Sequence, residues 1–422
     1  MSLFFCKDTK DYWESCICLI DMVAFFASVE QLDYPELRGK AIGITNGVPN
    51  DGATIITSSY KAREFGIKTG TKIRDALVMC PDIIIRPSRP ERYAALSKKI
   101  MTALNNDISP DQEIFSIDET FLDLTGVLRY FGSVRNITYK ICESVFMSSG
   151  LRCSVGVSTG KLTAKYAASL GKGKITIIKP KDVEYIMGEA SISDICGIGK
   201  RTTQYLNKHN VYKGKDLRKF PMSILAKKFG DHGRRLYLTC TKGIDPYPVI
   251  ASTPDPKSIG HSKVLPPYTT NKELVRGIMR RLTERLSARL RDNHLVSDLY
   301  SIYFKTKDKT IEKKYKTLTP INNTSEIWDI VHEHFLLWKV EPLFKVGINA
   351  INLKIADEST QLDMFCIHKN KSQELIDYTK DEINKKFGKH SLQSATELFT
   401  KNANMTPVIS FNYQPTGAKK SI

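Results

Sequence analysis

The nine residues Phe115-Ser116-Ile117-Asp118-Glu119-Thr120-Phe121-Leu122-Asp123 place two adjacent carboxylates inside a run whose apolar residues read as β-strand on either side. Acids are depleted in such half-buried strands, because an ionised carboxylate loses its hydration on burial. Two readings are open for Asp118 and Glu119: a solvated turn between two strands, or a site where a hard cation neutralises clustered carboxylates. Adjacent strand residues point to opposite faces, so both acids serve one ion only at a turn or bulge. A cation site also needs another oxygen donor from elsewhere in the chain.

Residues 15–22 (SCICLIDM) form a short apolar run with a polar end, as a buried strand reaching the rim of a sheet does. Residues 24–34 then repeat apolar side chains at helical spacing until Pro35 ends the pattern. Asp21 therefore stands at a strand-to-helix junction, either as a helix N-cap or as a carboxylate delivered to a ligand-binding sheet edge. From residue 83 to 179 the pattern alternates: a strand at IIIRP, a helix from Pro90, the strand pair around Asp118 and Glu119, a helix over 134–147, a strand at CSVGVS, a lysine-bearing helix (KLTAKYAASLGK) and a strand at KITIIKP. That order predicts an α/β or α+β sheet domain with Asp21 and the Asp118-Glu119 hairpin on neighbouring strands.

Residues 37–81 are small, mixed and punctuated by glycine. Within them a helix over 57–66 puts Tyr60 and Arg63 on one face, where they grip a phosphate or form an ordinary solvated surface. Gly197 and Gly199 precede Lys200 and a helical run. Such a turn presents bare backbone N–H groups to a phosphate, or simply joins two helices tightly. Four prolines within 240–256 mark a linker. Beyond it, residues 257–316 hold 15 Lys and Arg against 6 Asp and Glu. The long helix there starts with a Thr270 to Glu273 capping box and lines up Leu274, Ile278, Leu282, Leu286 and Leu290. Arg276, Arg280, Arg281, Arg285, Arg289 and Arg291 crowd much of the rest, a one-signed pattern that favours phosphate. Strands, and a second helix over 325–338, complete a small α+β domain.

The 422-residue chain carries a formal net charge of +18, which points to a polyanionic partner, nucleic acid before membrane surface. No apolar run approaches a membrane span, and the N-terminus lacks the order of a signal peptide, so a cytoplasmic, nucleoid-associated protein is expected. Nine cysteines, an odd number, form no C-x-x-C pair, and His332 and His334 have no cysteine nearby to complete a zinc site.

DMVAFFASVE, SSYKAREFGI, SIDETFLDLTG, DICGIGKRT, KSIGHSK and QLDMF occur in this order, and the combination resembles the Y-family translesion DNA polymerases, more narrowly their UmuC-type branch of bacteria and mobile elements. The resemblance covers residues 17–365. It implies an α+β multidomain fold, a right-hand polymerase: a palm over 15–35 and 82–185, small fingers over 36–81, a helical thumb over 186–250 with the helix-hairpin-helix Gly-Ile-Gly turn, a linker over 251–256, and a little finger over 257–357. A tail follows over 358–422.

The resemblance implies that Asp21, Asp118 and Glu119, with the Met22 carbonyl, hold two Mg²⁺ ions, Mn²⁺ being a substitute. Tyr60, Arg63 and Lys172 match positions that hold the incoming triphosphate, and Phe26 matches the steric gate against a ribose 2′-hydroxyl. Gly197, Gly199, Lys200, Arg280, Arg281 and Arg285 are the expected DNA contacts. Gln361, Leu362, Met364 and Phe365 resemble the docking peptide for the bacterial sliding clamp. The expected partners are primer-template DNA, deoxynucleoside triphosphates and the clamp, with a UmuD-like accessory subunit and a recombinase filament as further candidates. The chain departs from the family at Val23, where relatives carry a polar residue, and at Gly173-Lys174, which leaves Lys172 and Lys174 both open as the triphosphate lysine. The expected activity is templated, low-fidelity DNA synthesis past damage in an SOS-type response; a catalytically silent DNA- and clamp-binding relative is the alternative, and a nucleotidyl cyclase a third reading.

Overall fold

A computed structural model describes residues 12–46, 53–251, 256–356, 367–388 and 391–395, excepting the side chains of 266–268 and 367–371. The chain divides into two compact units, residues 1–253 with 406–422, and residues 254–405.

The first unit begins with β1 (Ile17–Met22), α1 (Phe25–Asp33), β2 (Ile42–Thr45), β3 (Ile55–Ser58), α2 (Tyr60–Glu64), α3 (Ile73–Met79), β4 (Ile84–Pro87) and α4 (Pro90–Asp107). It continues with β5 (Gln112–Ile114), β6 (Glu119–Asp123), α5 (Leu128–Phe131), α6 (Val134–Ser149), β7 (Cys153–Ser158), α7 (Lys161–Leu170) and β8 (Ile175–Ile177). The palm sheet has the order β5-β6-β1-β7-β8, with β1 antiparallel to both neighbours. A central strand covered on both faces reads as a continuous apolar run, which is why 15–22 shows no alternation. Its side chains nevertheless divide. Cys18, Ile20 and Met22 enter the core that holds Tyr93, Leu96 and Ile100 of α4 and Ile137 and Ile141 of α6. Ile17 and Leu19 join Phe121, Ala164 and Ala168 beneath α7. By the two-residue period, Asp21 belongs to the α7 side.

The helices expected from Pro90 and over 134–147 form within a residue or two of their predicted limits, since each has an apolar stripe to bury. The helix expected over 57–66 is shorter: residues 57 and 58 finish β3, and the Ser59 hydroxyl accepts from the Ala62 N–H to start α2. β4, which the sequence groups with the palm, pairs in parallel with β2 and completes the fingers sheet β3-β2-β4. A four-residue apolar run has strand character without naming its neighbour.

The thumb follows as α8 (Val183–Glu189), α9 (Lys200–Lys208), α10 (Met222–Phe229) and α11 (Asp231–Lys242), around Met187, Leu206, Leu225 and Leu236.

The second unit contains β9 (Ser258–Thr269), α12 (Lys272–Asp292), β10 (Leu295–Lys305), β11 (Thr310–Ile321), α13 (Thr324–Leu336), β12 (Leu343–Ile355) and α14 (Ile367–Phe387). Its antiparallel sheet has the order β11-β10-β12-β9. The expected stripe of α12 is in the core, with Ile278, Leu282, Leu286 and Leu290 buried and Leu274 packed against them. The cap is one residue later than the Thr270 box: Asn271 accepts from the Leu274 N–H at 3.0 Å. Arg291, grouped by sequence with a phosphate-binding face, is instead spent on α14, 2.7 Å from Asp381 and 3.2 Å from Asp377. Asp377 also accepts from the Thr324 N–H at 2.8 Å, at the start of α13. A helix after the segment expected to dock a clamp is thus an integral part of this unit. The peptide itself, with Gln361, Leu362, Met364 and Phe365, lies outside the described residues.

Candidate active site

The strand register brings the acids together. Asp21 of β1 stands directly opposite Glu119, the first residue of β6, and the Met22 N–H donates to the Asp118 carbonyl at 2.9 Å. Asp118 closes the bend between β5 and β6, so the turn needed to aim adjacent acids at one place is present. The helix-cap reading of Asp21 is excluded, because α1 starts after Ala24 and Asp21 is in the strand. Ala24 has φ 44° and ψ 50°, a left-handed conformation that costs a non-glycine residue about 1 kcal/mol. This strained residue lies between the acid and the aromatic pair Phe25-Phe26, and such strain persists only where the surroundings hold it.

The Ser116 hydroxyl donates to Asp118 Oδ1 at 2.7 Å. Burial pushes the Asp118 carboxyl up to about 6; the Ser116 bond opposes that shift, and the neighbouring Glu119 and Asp21 carboxylates add to it. Two lysines face the other acids. Lys165 Nζ lies 2.8 and 2.9 Å from the two Glu119 oxygens, and Lys172 Nζ lies 2.5 Å from Asp21 Oδ2. With Asp21 and Glu119 turned to these lysines, no three His, Cys, Asp or Glu side chains among the described residues are gathered as a finished metal cage. The donor chemistry nonetheless fits a hard divalent cation: the three carboxylates come from neighbouring positions at one end of β1 and β6, and the buried one has its proton affinity raised in part by its neighbours.

Phe26 projects from α1 and stacks on Tyr93 of α4. The Tyr93 hydroxyl donates to Glu30 Oε1 at 2.8 Å, and Arg89 Nε reaches the same oxygen at 2.8 Å. Arg89 continues to Asp33, which also takes Arg92. On α2 the Arg63 guanidinium lies 4.9 Å from the Tyr60 ring centroid and donates to the Ser58 carbonyl, so the two share a face as expected. Among the described residues no hydrogen bond joins either to the acids. Of the two candidate lysines, Lys172 is the one whose side chain reaches them.

In the thumb, Gly197 has φ 89°, and a Cβ there would fall 2.6 Å from the His232 ring. The left-handed backbone and the His232 contact together favour glycine there without any ligand. Gly199 is different: it precedes α9 with open space around its Cβ position, and Lys200 beside it is exposed. In the second unit Arg280 pairs with Glu284 at 3.2 Å and lies 5.2 Å from the Trp328 ring centroid, so it is held within the fold. Arg281 and Arg285 crowd Lys263 on the edge strand β9, and burial with those two charges lowers the Lys263 pKa.

The sequence reading missed Lys165, Ser116, and the Tyr93–Glu30 support behind Phe26. The signal for Lys165 is present in KLTAKYAAS, where Lys161 and Lys165 interrupt the buried face of a helix four residues apart. In the second unit Tyr303 lies across Gly347 and Asn349 across Gly260, contacts that a Cβ on either glycine would block.

A profile of the impB/mucB/samB family matches residues 20–169, and one of that family's C-terminal domain matches residues 256–364. The chain is similar to DNA polymerase IV 1 of Halalkalibacterium halodurans, 30% identical over 394 residues that span 90% of this chain and 92% of that protein. It is also 30% identical to DNA polymerase IV of Pelotomaculum thermopropionicum over 90% of this chain and 95% of the relative. Among solved structures, a Y-family DNA polymerase chimera superposes with a TM-score of 0.71 at 24% identity, covering 81% of this chain and 99% of the chimera, which supports the fold. Both relatives carry the name DNA polymerase IV, which supports the Y-family and not its narrower UmuC-type branch. With both parts of the chain matched and the acids of the SIDE segment set against the DM strand, the chain belongs to the impB/mucB/samB family of Y-family translesion DNA polymerases.

Proposed function

We propose that this chain extends a DNA primer past damaged template bases with low fidelity, using two Mg²⁺ ions held by Asp21, Asp118, Glu119 and the Met22 carbonyl. The observation that carries this reading is the register that sets Asp21 opposite Glu119 with Asp118 in the adjoining bend. When bound, the ions lower the pKa of the primer 3′-hydroxyl and steady the charge on the transferring phosphoryl group. Ser116 holds one Asp118 oxygen, which leaves the other to face a ligand. Tyr60, Arg63 and Lys172 orient the triphosphate, and Lys172 exchanges Asp21 for a phosphate oxygen as the nucleotide arrives. Phe26, backed by Tyr93, excludes the 2′-hydroxyl of a ribonucleotide.

Gly199 and Lys200 hold the backbone of the primer-template through bare N–H groups and charge. Arg281 and Arg285, beside Lys263, add positive charge in the second unit. Gln361, Leu362, Met364 and Phe365 dock a bacterial sliding clamp, which raises the local concentration of primer ends. Action in an SOS-type response, with a UmuD-like subunit or a recombinase filament, extends the same reading. The small fingers fit a loose site that tolerates damaged bases. Primer extension over a single abasic site with Mg²⁺, comparing the parent with the Asp118→Ala, Glu119→Ala double variant, tests it. Bypass by the parent alone supports the assignment; bypass by both moves the catalytic acids elsewhere.

A further inference from the structure

Helix α7 lies unusually close to the palm sheet. A Cβ on Gly156 of β7 would fall 2.3 Å from the Ala164 carbonyl oxygen and 2.3 Å from the Ala168 nitrogen, so only glycine lets the helix backbone rest directly on the strand. One face of α7 is then fastened to the β5–β6 hairpin by two ion pairs a turn apart. Lys161 Nζ holds Glu113 of β5 at 2.8 and 3.0 Å, and Lys165 Nζ holds both oxygens of Glu119. Lys165 also sits 4.3 Å from the Phe115 ring centroid, which fixes its direction from a second side. The two partners are similarly enclosed, with side-chain exposures of 20% and 19%.

The other end of this arrangement is held by the chain leaving the thumb. The fully enclosed Asp245 carboxylate accepts from the Leu162 N–H at 2.7 Å, capping the start of α7, and takes Arg235 of α11 at 2.6 and 2.7 Å. Gly160 leaves room for it, since a Cβ there would fall 2.4 Å from the Asp245 Cβ. The Ile250 N–H closes the seam on Glu113 at 2.8 Å.

We propose that Lys165 is a positioning residue for the catalytic acids: it is the fixed counter-ion of Glu119, and α7, locked by Asp245, sets its place. The inference rests on the reading of Asp21, Asp118 and Glu119 as the metal-binding acids. Lys172 is more exposed, at 48%, and is the movable counter-ion; Lys165 is enclosed and stays. A fixed positive charge beside the acids limits how strongly they attract a cation, and its grip on Glu119 keeps that carboxylate in register with Asp21.

The test compares Lys165→Met, Lys165→Arg and Lys161→Met in the full chain. Lys161→Met removes the neighbouring ion pair of the same helix without touching the acids. Mn²⁺ binding is followed by electron paramagnetic resonance without DNA, and primer extension is measured separately. Lys165→Met is expected to bind Mn²⁺ about tenfold more tightly, through loss of one repelling charge. It is also expected to extend primers about a hundredfold more slowly, because Glu119 is no longer held. Lys165→Arg restores the Mn²⁺ affinity of the parent, and Lys161→Met leaves it unchanged. Parental Mn²⁺ affinity in Lys165→Met, or an equal change in Lys161→Met, overturns the proposal. Should Lys165→Met fail to fold, Lys165→Arg and Lys161→Met decide: a Lys165→Arg protein whose Mn²⁺ affinity departs from that of the parent sinks it. Asp118→Asn separates this from the underlying reading: parental Mn²⁺ binding and extension in that variant would mean the acids are not the metal site at all.

Discussion

Phe26 and Tyr93 stack face to face, their ring centroids 4.5 Å apart and their planes 14° from parallel. The position of the proposed gate is therefore decided from behind, by a side chain from α4. Removing the ring by Phe26→Ala opens the space a 2′-hydroxyl needs, and discrimination against ribonucleotides is expected to fall by about a hundredfold. Single-nucleotide insertion with matched ribo- and deoxyribonucleotides checks this; unchanged sugar preference would place the gate elsewhere.

Glu30 is fully enclosed; Tyr93 and Arg89 both bond its Oε1, while Oε2 has no hydrogen-bond partner and lies 3.6 Å from Arg86 Nε. Arg89→Met leaves the buried carboxylate short of its strongest partner, for an expected loss of about 3 kcal/mol in stability. Tyr93→Phe keeps the stack and removes one hydrogen bond to a charged group, costing about 2 kcal/mol. Urea unfolding of the two variants reads both numbers, and a smaller loss for Arg89→Met than for Tyr93→Phe would reverse the ranking of these contacts.

On β9, burial holds His261 down to about 4 from an ordinary 6.5, and the Arg289 and Arg285 guanidinium groups add to the shift. Between those values the unfolded chain binds the extra proton, so His261 lowers stability as pH falls from 6.5 toward 4 and contributes nothing above neutrality. Asp118 has the opposite sign, its raised value adding stability as pH falls from about 6 toward 3.8. The two are separated by difference: His261→Gln should gain on the parent below pH 6.5 and match its pH dependence above. A pH series of denaturation midpoints for both proteins would show parallel curves if His261 titrates normally.

Asp377 joins α14 to the N-terminus of α13 and to Arg291. Asp377→Ala removes the acceptor of a buried N–H and the partner of a half-buried guanidinium, an expected cost of about 2 kcal/mol. Faster limited proteolysis within 367–388 is the readout. Equal cleavage rates would mean that Asp381 on Arg291 and Lys380, 2.6 Å from Glu284 of α12, hold the helix without it.

Deleting 361–365 should leave distributive synthesis intact and abolish stimulation by a sliding clamp. Equal loss with and without clamp would give the pentapeptide a structural role instead.

The sequence by itself determined most element types and the family, and singled out the acids as candidates, because these depend on local spacing. Asp118 and Glu119 stand in a strand pattern that burial penalises, Asp21 shares the parity of Leu19, and the apolar stripes of α4, α6 and α12 dictate helices wherever they run. Only the tertiary structure decided which strands pair, which sent β4 to the fingers sheet and set Asp21 opposite Glu119. The same holds for Lys165 on Glu119, Tyr93 behind Phe26, and Arg291 on α14. Each joins residues far apart in the chain, and a charge or ring has no local propensity that names its partner. Long-range register and buried ion pairs are settled by packing the whole domain, so they become visible only when it has folded.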